Sequence, residues 1–200
     1  MAGYGRLIAR VSDEPLSRSL PTVLTAADSI GDDDLARLIR LELGGYVAEN
    51  PAMSEDAVVP EYRAVPGNWY DDFGRMFLVK DPKLDFVNVI RLRHGVAELE
   101  GFNTAIGPLA AHEPAYAEVI REGLNVEVSV FQFQVSSVAQ VLSNIRVHVL
   151  DELASRREAF KDAQLETRDK SGEILLVKPQ FYGVGVDLRA LWRHVFGAKE

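Results

Sequence analysis

Cysteine is missing altogether: the 200 residues contain 0. That excludes a disulfide scaffold, a zinc ribbon and any thiol-based enzyme, and it fits a reducing cytoplasm, where such a chain is expected to work. Long apolar runs are missing too. No stretch approaches the roughly 18 consecutive apolar residues that a membrane-spanning helix needs, and no signal-peptide pattern stands in Met1 to Arg10. Basic charge is scarce, with 22 Lys and Arg against 30 Asp and Glu, a net charge of −8. A duplex-binding protein needs a basic stripe to neutralise phosphates, and the nearest approach is Arg91 with Arg93 and Arg156 with Arg157. Nucleic acid is therefore a disfavoured partner, and no membrane contact is expected. No internal repeat is visible.

What the chain does have is an ordinary globular composition, 47% hydrophobic and 26% charged, enough to build a core without staples. Helical periodicity begins at Pro15 with Leu16, Leu20, Val23, Leu24 and Ala27 and breaks at Gly31, with Pro21 as a possible bend. The clearest element follows. Asp32, Asp33 and Asp34 cap and charge a helix start, Leu35, Ala36, Leu38, Ile39 and Leu43 form its apolar stripe, and Gly44 and Gly45 stop it. Residues 50–85 read as an irregular sheet region with strands at Tyr62–Val65 and Met76–Val79 and turns at Pro66-Gly67 and Asp81-Pro82.

A second helix is predicted over Val89–Asn103, with Val89, Leu92, Val96, Leu99 and Phe102 inward and Ile106 as a further candidate for that side, and a short one over Tyr116–Glu122. Val126–Val135 alternates as a strand with a bulge at Val130-Phe131. A capping box of Ser137 with Gln140 would start the longest helix, which carries Val138, Val141, Leu142, Ile145, Val149, Leu153 and Phe160. Beyond it lie a polar loop or linker at 161–172, two strands (Ile174–Val177 and Phe181–Val186) and a last short helix capped by Asp187. The fold class expected is α+β: a bundle-like helical core with a small, mainly antiparallel sheet, plus a C-terminal strand pair and helix. Residues 1–160 would form the main domain and 173–200 a docking or assembly segment, with Phe181, Tyr182, Leu188, Leu191, Trp192 and Val195 as its contact residues.

Candidate chemistry is thin. His94 with Glu98 and His148 with Glu152 have the four-residue helical spacing of some metal sites, yet pairing on a solvated face explains both. Three consecutive aspartates diverge by about 100° each on a helix, so they serve better as caps than as ligands. Gly183-Val-Gly-Val-Asp187 sits where phosphate loops sit, but it lacks both the third glycine of a dinucleotide loop and the Gly-Lys-Ser/Thr of a P-loop. No cofactor and no metal is expected.

Glu42 is the exception. Its angular position falls inside the apolar stripe, where an ionised carboxylate is costly unless paired. Either it forms a buried ion pair, with Arg63 or an arginine of the second helix, or it is a general base with a raised pKa. Glu98 and Glu100 flank a packed helix in the same way.

The run Ser29-Ile-Gly-Asp-Asp-Asp-Leu-Ala-Arg-Leu-Ile-Arg-Leu-Glu-Leu-Gly-Gly-Tyr46 resembles a signature of the AbiTii domain, named from a bacterial abortive-infection locus. Pro60-Glu-Tyr-Arg63, Gly95-Val-Ala-Glu-Leu-Glu100 and Ser143-Asn-Ile-Arg-Val-His-Val-Leu150, with Arg146, resemble further motifs of that family in order, and the likeness covers residues 5–160. Val47 departs from the proline that follows the tyrosine in the family. The resemblance implies a role in anti-phage defence as a toxin (as in a toxin–antitoxin pair), effector or accessory. A non-enzymatic module would work by self-association, as a homo-oligomer, and by contact with a phage or host protein or a defence effector. The alternative is a toxin enzyme, a nuclease or nucleotide hydrolase, using Glu42, Arg63, Glu98 and Glu100. A nucleotide sensor at Gly183–Asp187 is a third option.

Overall fold

The computed structural model describes residues 2–162. The expected polar loop beyond Asp162, the C-terminal strands and helix, the Gly183–Asp187 turn and the contact residues Phe181, Tyr182, Leu188, Leu191, Trp192 and Val195 all lie outside the described residues. Those residues make an α+β fold of helices with a small antiparallel sheet. Among them, no helix is long and apolar enough to cross a membrane. They divide into two compact units: one gathers the residues up to Pro66, Val89–Leu109 and the chain from Gln134, the other Gly67–Asn88 and Ala110–Phe133.

The first unit is mainly helical. Helix α1 (Ala2–Asp13), which no start signal announced, buries Leu7 and Val11. Helix α2 (Leu16–Ile30) buries Leu16, Leu20, Val23 and Ala27, and it continues through Pro21, whose ring faces solvent. Its end is Gly31 at φ 70°, a left-handed conformation that glycine takes without a Cβ penalty. Helix α3 (Asp33–Gly44) starts as expected: Asp32 Oδ1 accepts the Leu35 amide at 2.9 Å. Helix α6 (Val135–Ser155) is the longest described, and Val138, Val141, Ile145, Val149 and Leu153 form its buried face.

Phe160 is also buried, but on a separate helix, α7 (Arg157–Asp162). The Ser137–Gln140 box does not form. Helix α6 begins three residues earlier than that box implies, Gln134 stands at its cap position, and Gln140 instead donates to Asn144.

The predicted helix over Val89–Asn103 is corrected. Val89–Arg91 is strand β3 (alternately exposed, buried, exposed) and the helix is only α4 (Val96–Phe102). Two things override the helical periodicity. Val89, Ile90 and Arg91 pair antiparallel with Pro66, Val65 and Ala64, the start of strand β1 (Ala64–Tyr70). The carbonyls of Leu92 and His94, which a helix would use internally, are instead bound by Arg63. Arg91 and Arg93 therefore share no helix, and His94 precedes α4, so its spacing to Glu98 does not place the two on one helical face.

The second unit is built on the rest of β1, which pairs with β2 (Met76–Phe77) and with β5 (Val130–Phe133). Pro66-Gly67, expected as a turn, lies inside β1 where the strand passes from β3 to β5 as partner. A proline is tolerated at such a break in the ladder. At Gly67 a Cβ would come within 2.3 Å of the Gln132 carbonyl, so only glycine fits. The strand expected over Val126–Val135 shortens to β5, without the bulge. Strand β4 (Leu109–Ala111) flanks β5, and the order is β2-β1-β5-β4 with β3 on β1. Trp69 is fully buried, edge-on to Phe131 at 5.4 Å, and its indole N–H donates to the Val87 carbonyl at 2.9 Å. Helix α5 (Pro114–Leu124) buries Ile120 in this unit.

Candidate functional site

The last turn of α3 carries Glu42 on its buried side and delivers Tyr46, four residues on, just past the double glycine. A short 3-10 helix, Glu61–Arg63, brings Tyr62 and Arg63 to the same place. Four side chains close on one another. Glu42 Oε2 receives Arg63 Nη2 at 2.5 Å, and Glu42 Oε1 receives the phenols of Tyr46 at 2.8 Å and Tyr62 at 2.7 Å. Arg63 Nη1 donates to the carbonyls of Leu92 at 2.9 Å and His94 at 2.7 Å. Its guanidinium carbon stands 4.8 Å from the centre of the Tyr46 ring. Arg63 Nε alone is buried without a partner.

Glu42 and Arg63 are 0% exposed. A buried pair is tolerated when hydrogen bonds satisfy the remaining lone pairs and protons, and here two phenols and two carbonyls do most of this, leaving the Arg63 Nε proton without a partner. Burial, and next the charge of Glu42, push the phenols of Tyr46 and Tyr62 well above the ordinary tyrosine range. Both therefore remain donors to the carboxylate. A general base must be within reach of the proton it abstracts, and this carboxylate is sealed behind its own partners.

Glycines make the approach possible. A Cβ on Gly45 (φ 81°) would lie 2.5 Å from the Arg93 carbonyl, and one on Gly95 would lie 2.3 Å from the Leu43 carbonyl. The Tyr46 amide donates to Arg93 O at 2.7 Å across the same contact. The end of α3 and the turn into α4 thus touch backbone to backbone.

The remaining candidates separate. Glu98 is exposed on the first turn of α4. Glu100 turns to the start of α2, where Pro15 offers no side-chain cap. Its carboxylate accepts the Ser17 hydroxyl at 2.5 Å and the Ser17 amide at 3.3 Å. Arg146, on α6, does the converse at the end of α1: its Nη1 donates to the carbonyls of Val11, Ser12 at 3.0 Å and Glu14 at 2.9 Å. A carboxylate and a guanidinium therefore pin opposite helix ends at one junction. Beside it is an open groove of about 510 Å³, lined by Asp13 to Leu16, Glu100, Asn103, Ala139, Leu142, Ser143 and Arg146.

Asp32 doubles as a cap and as a partner of Arg156 Nε at 2.5 Å, and Glu152 binds the same guanidinium. His148 stacks at 4.8 Å on Tyr62, with Glu152 at 4.0 Å. Among the described residues, no group of three or more His, Asp or Glu is placed to hold a metal ion.

Sequence reasoning found Glu42 and, in Arg63, one of its two possible kinds of partner. It missed the phenols, although Tyr46 lies four residues after Glu42 and Tyr62 lies next to Arg63. A family model described as AbiTii matches residues 7–172. No curated protein and no solved structure matches the chain.

Proposed function

The chain belongs to the AbiTii family, which points to abortive infection and phage defence, and we propose that it acts there by binding, through self-association and contact with a phage or host protein, without a reaction of its own. The observation that carries this reading is the enclosure of Glu42. The carboxylate with the most unusual setting has both oxygens engaged and 0% exposure, so it supports architecture. Glu100 is likewise occupied at a helix start, and Arg63 is spent on Glu42 and two carbonyls.

Large apolar side chains in water favour a binding role. Phe73 is 83% exposed and Met76 56% exposed on the turn and strand after β1. Two measurements test the reading together: plating efficiency of phage on cells with and without the chain, and the mass of the purified chain in light scattering. Protection with a particle heavier than one chain is expected. A strictly monomeric particle that retains no phage or host protein during infection would overturn it.

A further inference from the structure

The sheet of the second unit carries apolar side chains on both faces. Trp69 pairs with Phe77 on one side and Phe131 on the other, and Trp69 and Phe131 are fully buried. The next row is Met76, Tyr70 and Val130, paired in the same register, so its side chains share the opposite face. None of these three is buried, and Met76 is 56% exposed. The alternation continues past β2, with Leu78 exposed and Val79 buried. An antiparallel sheet that turns one face to water places polar side chains there. A methionine, a tyrosine and a valine in line across three strands are instead the pattern of a face that a second layer covers.

The chain holds a segment suited to be that layer. Beyond the described residues, the sequence predicts a helix capped by Asp187 with Leu188, Leu191, Trp192 and Val195 on one side. Arg189 and Arg193, four apart, flank that stripe. Charge favours the match. Residues 67–88 and 110–133 of the second unit hold eight acidic side chains and four basic ones, whereas residues 174–200 hold four basic and two acidic. Asp72 follows Tyr70 and Glu127 precedes Val130, so on antiparallel strands both stand at one end of the row. Both are exposed, and Asp72 has no ion-pair partner among the described residues.

Length favours the chain's own segment over a second copy's. The 24 residues 163–186 extend to roughly 80 Å at about 3.3 Å each, well beyond the roughly 30 Å width of a small domain. A tethered segment within reach acts at a millimolar effective concentration. We propose that the helix capped by Asp187 lies on the Met76–Tyr70–Val130 face of its own chain. Leu191 and Trp192 cover the row, and Arg189 and Arg193 turn to Asp72 and Glu127. This goes beyond the binding reading above: Met76 is assigned to the chain's own tail, and Phe73, in the turn between β1 and β2, is left to a partner.

The chain has 2 tryptophans and Trp69 is 0% exposed, so fluorescence that acrylamide quenches readily reports on Trp192. In the full chain Trp192 is expected to be shielded, with one quenching constant at every protein concentration. Met76→Arg and Leu78→Arg, both at exposed positions, set a positive charge against Arg189 and Arg193. Each is expected to raise the constant several-fold. Val147→Arg, at an exposed apolar position on α6, is expected to leave it unchanged. Circular dichroism checks that each variant folds. A freely quenched Trp192 in the unaltered chain would overturn the proposal, as would shielding that survives both sheet variants or is lost equally in Val147→Arg. Shielding that fades on dilution would overturn it too, because the cover would then be a second copy.

Discussion

Glu42 Oε2 and Arg63 Nη2 meet at 2.5 Å with neither side chain exposed to water. Removing one partner strands the other as a buried charge, an effect worth about 3–5 kcal/mol. Glu42→Gln and Arg63→Met are each expected to lower the unfolding free energy by that amount, read as a lower urea midpoint at unchanged slope. The pair replaced together, Glu42→Leu with Arg63→Met, is expected to recover much of the loss. Denaturant titrations of the three variants check this, and a double variant as unstable as the sum of the singles would contradict it.

Tyr46 and Tyr62 carry a pH signature. Their phenols have pKa values raised by folding, so the unfolded chain releases those protons first. This contribution to stability is complete below the ordinary value of 10.0 and declines as pH rises above it. Absorbance at alkaline pH is expected to show a late phase of phenolate formation that coincides with unfolding. Tyr46→Phe and Tyr62→Phe should each reduce that phase, and each should cost about 1–3 kcal/mol because a buried acceptor loses a donor.

Two glycines should respond to alanine with opposite signs. At Gly95 the added methyl meets the Leu43 carbonyl at 2.3 Å, so the end of α3 must move; a loss of about 1–3 kcal/mol is expected. Gly101 is inside α4 with open space around it, and Gly101→Ala is expected to gain about 0.5–1 kcal/mol. Thermal melts of the two variants decide the matter.

Glu100→Ala and Arg146→Ala should loosen the same junction from opposite sides. Each leaves helix-terminal groups without a charged partner, at a cost of about 1–3 kcal/mol. Hydrogen exchange is expected to accelerate at the start of α2 in the first variant and in the last turn of α1 in the second. Uniform acceleration across the chain would contradict a local role.

Where local chemistry and tertiary packing agreed, the sequence was readable. The aspartate cap and double-glycine stop of α3 and the apolar face of α6 are cases of this. Where the backbone was bound from a distance, local reading failed. Val89–Arg91 had helical periodicity, but β1 and Arg63 took its backbone groups. Pro66-Gly67 had turn chemistry, yet the glycine is there so that Gln132 can come close. Glu42 stood out because one polar residue in an apolar stripe is visible at the helical period. Of its phenol partners, Tyr46 stands four residues on, within reach of the same helical reading, but nothing local says that Tyr62 will meet a carboxylate twenty residues away. The four motifs that suggested the family prove to be parts of one framework: Glu42 with Tyr46, Tyr62 with Arg63, Gly95 against Leu43, and Glu100 and Arg146 at the helix ends.

Replacing the whole cluster by apolar side chains separates architecture from chemistry. The variant is Glu42→Leu, Tyr46→Phe, Tyr62→Phe and Arg63→Met, first shown by its melt to be folded and then challenged with phage. Plating efficiency equal to that of the unaltered chain is the expected result. Loss of protection from a variant that folds and assembles normally would mean that the Glu42 carboxylate takes part in a reaction.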